Sequence, residues 1–234
     1  MALLADITKP EDIVNACHTI KNRFGKLDVL VNNAGYGLAD AVEETSTAET
    51  RDIFEANFFG TLHCTQTFLP LFRQQKGRHI IQISSHGGFK AFAGFGIYNA
   101  STFSVEGFNE ALAAQIAPLG IQLTIVEPGP FKTNFAGTAL KQTSAIIEDY
   151  YPTRGAFRNK MKLADGQQES DPQKADQAII AITLLKTPPL LLPLCKITIS
   201  SLSAKIETVQ KNIDNFKPLA EQVVLSKIST GNYH

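Results

Sequence analysis

The stretch that decides the fold runs from Ile83 to Phe103 and reads ISSHGGFKAFAGFGIYNASTF. It follows a short β-branched run, His79 to Ser84, and leads into a helical pattern that we expect over Tyr98 to Ala117. Ser85 lies thirteen residues before Tyr98. Because a phenol can donate or accept a proton at a reacting oxygen, Tyr98 is a candidate acid/base residue.

Other runs of the same kind surround this stretch. Leu27 to Asn32 and Ile121 to Glu127 have the composition of buried parallel strands. Helical patterns over Pro10 to Phe24, stopped by Gly25, and over Thr47 to Gln75 lie between the strands. The alternation of strand and helix predicts an α/β protein with a doubly wound parallel sheet, whose ligands bind outside the carboxyl ends of the strands.

The bulk composition favours one domain and excludes several classes of partner. The 234 residues, 44% of them hydrophobic, can form one sizeable core, so we expect a single domain over residues 1–234. A net charge of +0 gives no field that would attract nucleic acid. The prolines within residues 178–194 prevent an uninterrupted membrane-spanning helix.

The cysteines and histidines lack ligand spacing. Cys17, Cys64 and Cys195 stand apart from one another, which fits neither a disulfide framework nor a zinc site and indicates a reducing, cytoplasmic location. The histidines are equally scattered, so we expect no metal. His86, beside Ser85, is either a pocket residue or, more commonly for such a position, a packed side chain.

Two segments toward the C-terminus have different characters. Residues 131–171 lose clean periodicity, and so long a segment usually covers a site. Residues 203–228 predict one or two amphipathic helices with a break near Pro218. These C-terminal helices either cap the core or join two subunits.

Together with Asn32-Asn33-Ala34-Gly35 and Pro128-Gly129, the opening stretch resembles the short-chain dehydrogenase/reductase family. The resemblance implies a Rossmann-like three-layer α/β/α fold, with residues 131–171 as a substrate lid. It also implies an NAD(P)-dependent oxidoreductase that interconverts a secondary alcohol and a ketone. In that case the catalytic residues are Asn57, Ser85 and Tyr98.

The same resemblance implies a cofactor site for NADP or NAD. In the family pattern Asp6 contacts the adenine of the cofactor and Thr133 contacts its carboxamide. The implied cofactor-binding residues are Asp6, Asn33, Ala34, Gly35, Pro128, Gly129 and Thr133.

The sequence departs from the family pattern in two ways. Thr102 stands at the position of the family's lysine, which lowers the pKa of the tyrosine one helical turn before it. The family's Gly-rich turn, TGxxxGIG, does not occur in these residues. We therefore expect a sheet without its first two strands, a weakened cofactor site and impaired activity. The open edge of the Leu27 to Asn32 strand favours a homo-oligomer.

An alternative function remains open at this point. The chain is either such an oxidoreductase or a non-catalytic relative that binds an apolar ligand or a partner in the same cleft. Phe89, Phe92 and Phe95, between Ser85 and Tyr98, indicate either an apolar alcohol or carbonyl substrate or simply a packed loop.

Overall fold

A computed structural model of the chain describes residues 1–39 and 41–224. Its strands are β1 Val29–Asn32, β2 Gly37–Ala39, β3 Arg78–Ile83, β4 Ile121–Pro128, β5 Leu140–Gln142 and β6 Leu191–Leu194. The main sheet is parallel and has the order β1, β3, β4, β6. A second, smaller sheet pairs β2 with β5, also in parallel.

Helices surround the main sheet. The α-helices are α1 Pro10–Phe24, α2 Thr47–Phe54, α3 Thr61–Gln74, α4 Gly96–Ile116, α5 Ala156–Ala164, α6 Pro172–Thr183 and α7 Lys196–Glu221. Short 3₁₀ turns are Val42–Glu44, His86–Gly88, Ala117–Leu119 and Glu148–Tyr150, and π-helical segments are Glu55–Gly60 and Tyr151–Gly155.

The sheet has a packed core on each face. On one face Ile80 and Ile125 are fully buried against α1, α3 and α4. On the other face Ile81 and Val126 pack against Ile182 of α6. Because neighbouring strand residues point to opposite faces, this alternation gives three layers, α/β/α. The predicted doubly wound, Rossmann-like architecture is confirmed.

The local predictions agree closely with these elements. Each of the three predicted strands is present, with bounds shifted by at most two residues. Helix α1 has the predicted bounds, and Gly25 ends it with φ 69°, a left-handed conformation that suits glycine. The predicted helical pattern over Thr47 to Gln75 is helical from Thr47 to Gln74, with the π-helical segment Glu55–Gly60 between α2 and α3.

Strand β1 lies at an edge of the main sheet. Within the described residues its hydrogen-bonded neighbour is β3 alone. Val31, in the middle of β1, is 49% exposed. An edge of this kind offers unpaired backbone groups and apolar surface to another chain.

The segment 131–171 has more structure than its sequence indicates. It contains β5, the turn Glu148–Tyr150, the π-helical segment Tyr151–Gly155 and helix α5. Pairing of β5 with β2 places this segment against the chain that follows β1. The segment therefore lies over the carboxyl end of the main sheet.

Helix α7 differs from the prediction for residues 203–228. It is one helix from Lys196 to Glu221 and continues through Pro218. The helix extends only three residues beyond Pro218, so the missing amide donor affects its last turn alone. Its apolar residues from Ile206 to Leu219 are exposed and do not cap the core. Residues 225–228 of the predicted range lie outside the described residues.

None of the helices in the described part of the chain has the length and apolar character needed to span a bilayer.

Candidate active site

A cavity of about 330 Å³ opens at the carboxyl ends of the main strands. The chain after β1 contributes Asn33 to Gly35, and the chain after β3 contributes Ser84 and Ser85. Residues 128–130 line it at the end of β4. Parallel sheets bind their ligands at this edge, because the strand ends and the loops that follow them converge there.

Tyr98 lies in the first turn of α4 and lines this cavity. Its side chain is buried, and its ring packs against Phe95 with the centroids 4.9 Å apart. Burial raises the pKa of Tyr98 to about 12, and a hydrogen bond with the Ser85 hydroxyl opposes that rise. The phenol is therefore neutral, and it lines the same cavity as Ser85.

Ser85 is held by the turn that it begins. Its Oγ accepts a hydrogen bond from the Gly87 amide at 3.0 Å, which caps the 3₁₀ turn His86–Gly88. Asn99 then ties this turn to α4, because its Nδ2 donates to the Gly87 carbonyl oxygen at 2.8 Å. The Oδ1 of Asn99 accepts from the Phe92 amide at 2.9 Å. Asn99 thereby fixes the Ser85 loop beside Tyr98.

Sequence reasoning missed Asn99. The available signal was that a polar residue, Asn99, directly follows Tyr98 in the predicted helix. In the structure Asn99 is only 3% exposed. Buried amides need partners for both their oxygen and their nitrogen. An asparagine at this position therefore points to a loop whose backbone supplies those partners.

Asn57 lies in the π-helical segment Glu55–Gly60 and lines the cavity. Its Oδ1 accepts from the Tyr36 amide at 3.0 Å, and its Nδ2 donates to the Tyr36 carbonyl oxygen at 3.0 Å. The same Nδ2 lies 3.1 Å from the Ser101 hydroxyl of α4. Asn57 thus joins the chain after β1 to the helix that carries Tyr98. Single π turns of this kind occur frequently at functional sites.

Thr102 lines the cavity one helical turn after Tyr98. Its Oγ1 donates to the carbonyl oxygens of Tyr98 and Asn99, at 3.2 and 3.0 Å. Among the described residues that line the cavity, none is a lysine or an arginine. The site therefore lacks a positive charge that would lower the pKa of Tyr98.

Most of the predicted cofactor residues line this cavity, and one does not. Those that do are Asn33, Ala34, Gly35, Pro128, Gly129 and Thr133. Asp6 is exposed ahead of α1, where its Oδ1 accepts hydrogen bonds from the amide and hydroxyl of Thr8. The structure does not bring Asp6 to the cavity, so its adenine contact stays a prediction.

The residues at the strand ends fit the nicotinamide end of a dinucleotide. They are small or offer backbone groups, and at Gly129 a Cβ atom would lie 2.4 Å from the Cys195 sulfur. Only glycine can occupy that position without a shift of its neighbours. The described lining offers no cationic side chain for the phosphates. Small residues and backbone groups suit the uncharged nicotinamide end of such a cofactor, and the individual contacts stay a prediction.

The apolar wall comes from residues that the sequence did not single out. Phe135, Met161 and Ala164 of the segment 131–171 line the cavity, as does Ile179 of α6. The ring of Phe135 lies 5.7 Å from that of Tyr98. No pattern in the sequence distinguishes these positions, because this segment lacks the period of a helix or a strand.

The phenylalanines between Ser85 and Tyr98 are not part of the described lining. Phe92 and Phe95 pack in a cluster behind Tyr98. His86 packs its ring 4.8 Å from Phe92. Burial lowers the pKa of His86, although a contact with the Pro128 carbonyl opposes the shift. The packed-loop interpretation therefore describes Phe92, Phe95 and His86 better than the pocket interpretation.

Two buried carboxyl groups lie behind the site. Burial raises the pKa of Glu106 to about 8, and the neighbouring Ser84 hydroxyl reduces this effect. Burial likewise raises the pKa of Glu127 to about 7, with a further rise from Glu110. Glu127 is fully buried at the end of β4. The described residues contain no group of three or more His, Cys, Asp or Glu side chains that could hold a metal.

Comparison with known proteins identifies relatives of this chain. Residues 1–144 match the short chain dehydrogenase family. Oxidoreductase BOA17 of Botryotinia fuckeliana is 35% identical over 79% of this chain and 67% of its own length. A short-chain dehydrogenase from Streptomyces avermitilis is 33% identical with a TM-score of 0.90, over 96% of this chain and 82% of that one. The structure of ElxO with bound NADP is 25% identical with a TM-score of 0.67, over 83% and 76%.

Proposed function

The chain belongs to the short-chain dehydrogenase family, and from this premise we propose that it is an NAD(P)-dependent oxidoreductase that interconverts a secondary alcohol and a ketone. One observation carries the proposal. The buried Tyr98 phenol and the Ser85 hydroxyl line the same cavity at the carboxyl ends of parallel strands. A hydroxyl pair of this kind can bind a carbonyl oxygen and give it a proton.

Each residue of the site has a definite task in this reaction. Tyr98 donates a proton to the carbonyl oxygen of a ketone, or accepts one from an alcohol. Ser85 binds the same oxygen and orients it toward the phenol. Asn57 bonds to the backbone of Tyr36 and to Ser101 of α4, and so fixes the two sides of the cavity relative to each other.

A nicotinamide cofactor, when bound, supplies or accepts the hydride. We propose that the residues at the strand ends hold it, with Asp6 at the adenine. The NADP-bound structure of ElxO supports a cofactor of this class. The strand-end residues are Asn33, Ala34, Gly35, Pro128, Gly129 and Thr133.

Reduction is favoured over oxidation in this site. With a pKa near 12, only about one Tyr98 side chain in 10⁵ is ionised at pH 7. The neutral phenol can still donate a proton to a ketone, whereas alcohol oxidation needs the ionised form. We therefore propose an impaired enzyme that works mainly as a reductase, because Thr102 replaces a charge with a backbone contact.

The substrate that fits the cavity is a small apolar ketone or alcohol. Phe135, Met161 and Ile179 provide an apolar wall, and the hydroxyls of Ser85 and Tyr98 are among the polar groups that line the rest of the cavity. About 330 Å³ is near the lower end of the range for small-molecule pockets.

Cofactor titration tests this proposal. We expect NADPH or NADH to bind at micromolar concentration. Nicotinamide fluorescence measures this binding. A thousandfold excess over Kd should then stabilise the folded chain by about 4 kcal/mol. Absence of binding at millimolar concentration of both cofactors would overturn the proposal.

A second function has one observation in its favour. Thr102 supplies no charge and burial raises the pKa of Tyr98 to about 12, while the cavity itself is well formed and largely apolar. A non-catalytic relative that binds an apolar ligand would have these features. It would bind apolar ketones or alcohols without any turnover of NADPH or NADH.

We also propose a homo-oligomer in the cytoplasm. Helix α7 presents exposed Ile206, Val209, Ile213 and Phe216 along one side, and Val31 is exposed at the edge of β1. Apolar surfaces of this extent favour association with another copy. The three cysteines are free thiols, which suits a reducing compartment.

A further inference from the structure

Helix α5 forms part of the apolar wall over the candidate acid. Its Met161 and Ala164 line the cavity. Phe157, on the same helix, packs against Phe95 with the ring centroids 4.5 Å apart, and Phe95 in turn packs on Tyr98. The position of α5 therefore decides how closely the wall approaches the phenol.

A buried ion pair lies directly before α5. Arg154 belongs to the π-helical segment Tyr151–Gly155, which continues into α5. Its Nη2 lies 2.5 Å from the Oε1 of Glu44, and the two side chains are 5% and 0% exposed. Glu44 ends the 3₁₀ turn Val42–Glu44, just ahead of α2. The pair thus joins the segment 131–171 to a part of the fold more than a hundred residues earlier.

The Glu44 carboxylate is also fixed by backbone amides. Its Oε1 accepts from the Ile147 amide at 2.6 Å, and its Oε2 accepts from the Ala41 amide at 3.2 Å. Burial acts to raise the pKa of Glu44, but these hydrogen bonds and the Arg154 guanidinium lower it overall. The carboxylate therefore stays ionised while it holds the segment at both Ile147 and Arg154.

Arg158 of α5 makes a part-buried contact, because its Nη2 donates to the Ala39 carbonyl oxygen at 3.1 Å, whereas two other polar contacts of this segment are exposed. The Tyr150 hydroxyl donates to Glu43 at 2.6 Å, and the Ser144 amide donates to Glu49 at 3.0 Å. Exposed pairs contribute little to stability and hold geometry loosely. A buried ion pair gives little net stability because of desolvation, yet its bonds have strict geometry.

We propose that Glu44 and Arg154 are a positioning pair for the substrate wall. They set the start of α5 so that Met161 and Ala164 close the cavity over Tyr98. The effect on turnover rests on the proposed function, whereas the effect on the position of α5 does not. Loss of the pair opens the wall, weakens binding of apolar substrates and leaves the chemistry at Tyr98 in place.

The sequence contains no tryptophan, so Phe157→Trp introduces a single fluorescent reporter on α5. In that background we would compare Glu44→Gln, Arg154→Met and the double variant with Glu43→Gln, the exposed neighbour. We expect acrylamide quenching of the reporter to rise at least about twofold in the first three variants, because the opened wall admits solvent. Glu43→Gln should leave quenching unchanged.

A general loss of stability must be separated from a change of position. Ile13→Ala, at a core position of α1, should lower the melting temperature without raising the quenching. In the chain without the reporter, Glu44→Gln should raise the KM for an apolar ketone about tenfold and change kcat far less, the pattern of lost uniform binding. Quenching in Glu44→Gln and Arg154→Met equal to that in Glu43→Gln would overturn the proposal, whether or not the chain turns over substrate.

Discussion

The Thr102 hydroxyl donates a hydrogen bond to the main-chain carbonyl oxygen of Tyr98 at 3.2 Å. The residue one turn after the candidate acid thus contributes a backbone contact and no charge. Burial is then the dominant influence on the phenol, and it raises the pKa of Tyr98 to about 12. The consequences for the reaction can be measured in both directions.

The two directions of the reaction should depend differently on pH. Ketone reduction uses the protonated phenol, so its rate should show no loss from Tyr98 ionisation anywhere below about pH 11. Alcohol oxidation uses the ionised phenol, so its rate should rise about tenfold per pH unit up to the same limit. Initial rates from pH 6 to pH 10 check both trends. An oxidation rate that levels off near pH 8 would show that another group lowers the pKa of Tyr98.

Thr102→Lys should lower the apparent pKa of Tyr98. The new ammonium group would lie one turn after the phenol and one turn before Glu106, whose carboxyl is buried. An opposite charge within about 4–6 Å typically lowers a pKa by 1–3 units, so oxidation at pH 8 should increase at least about tenfold. Thr102→Met is the control, with length but no charge. Equal oxidation rates in the two variants would contradict this account.

The stability of the chain should fall as the pH rises from about 6.5 to 8. The folded-state pKa values of Glu106 and Glu127, about 8 and 7, lie above the ordinary value, so the folded chain binds more protons than the unfolded chain in this range. Each carboxyl then lowers the free energy of unfolding by at most about 1.4 kcal/mol per pH unit. Burial lowers the pKa of His79 to about 4, which acts in the opposite direction below about pH 6.5.

Urea unfolding at half-unit pH steps measures this slope. Glu127→Gln removes one of the two carboxyls and should flatten the slope, while Glu207→Gln, on the exposed part of α7, should not change it. If the free energy of unfolding of the unaltered chain increases between pH 6.5 and 8, the raised pKa values of the buried carboxyls are contradicted.

Self-association should depend on the exposed apolar side of α7. Val209 and Ile213 are 42% and 53% exposed, and a glutamate at both positions should turn an oligomer into a monomer in size-exclusion chromatography. Lys211→Gln, on the same helix, serves as the control. If Val31→Lys rather than the α7 variant gives the monomer, the copies associate through the edge of β1. A chain that is already monomeric at high concentration would contradict both.

The sequence predicted the fold for clear physical reasons. Buried parallel strands are continuous β-branched runs, so Leu27 to Asn32 and its neighbours stood out, and the family resemblance indicated Ser85 and the cofactor residues at their ends. The π-helical segment at Asn57 was not predicted, because π turns are rare within α-helices. The helix through Pro218 shows that a proline weakens a last turn without ending it.

The residues that form the apolar wall of the cavity could not be predicted from the sequence. Phe135 and Met161 line the wall in a segment that is held by the pairing of β5 with β2 and by the ion pair between Arg154 and Glu44. Each of these two contacts joins distant parts of the chain. Phe92 and Phe95 had a local signal and were candidates for that wall, yet they pack behind Tyr98. Local patterns locate strand ends, whereas long-range packing decides which side chains face the cavity.

The rate of ketone reduction by the unaltered chain and by Tyr98→Phe tests the central claim most directly. With saturating NADPH or NADH and an apolar ketone, we predict measurable reduction by the unaltered chain and a kcat about 100-fold or more lower in Tyr98→Phe, because the proton donor is gone. Tyr151→Phe, an exposed tyrosine, should keep the full rate. Equal rates in Tyr98→Phe and the unaltered chain, or no reduction by the unaltered chain with either cofactor, would contradict the account.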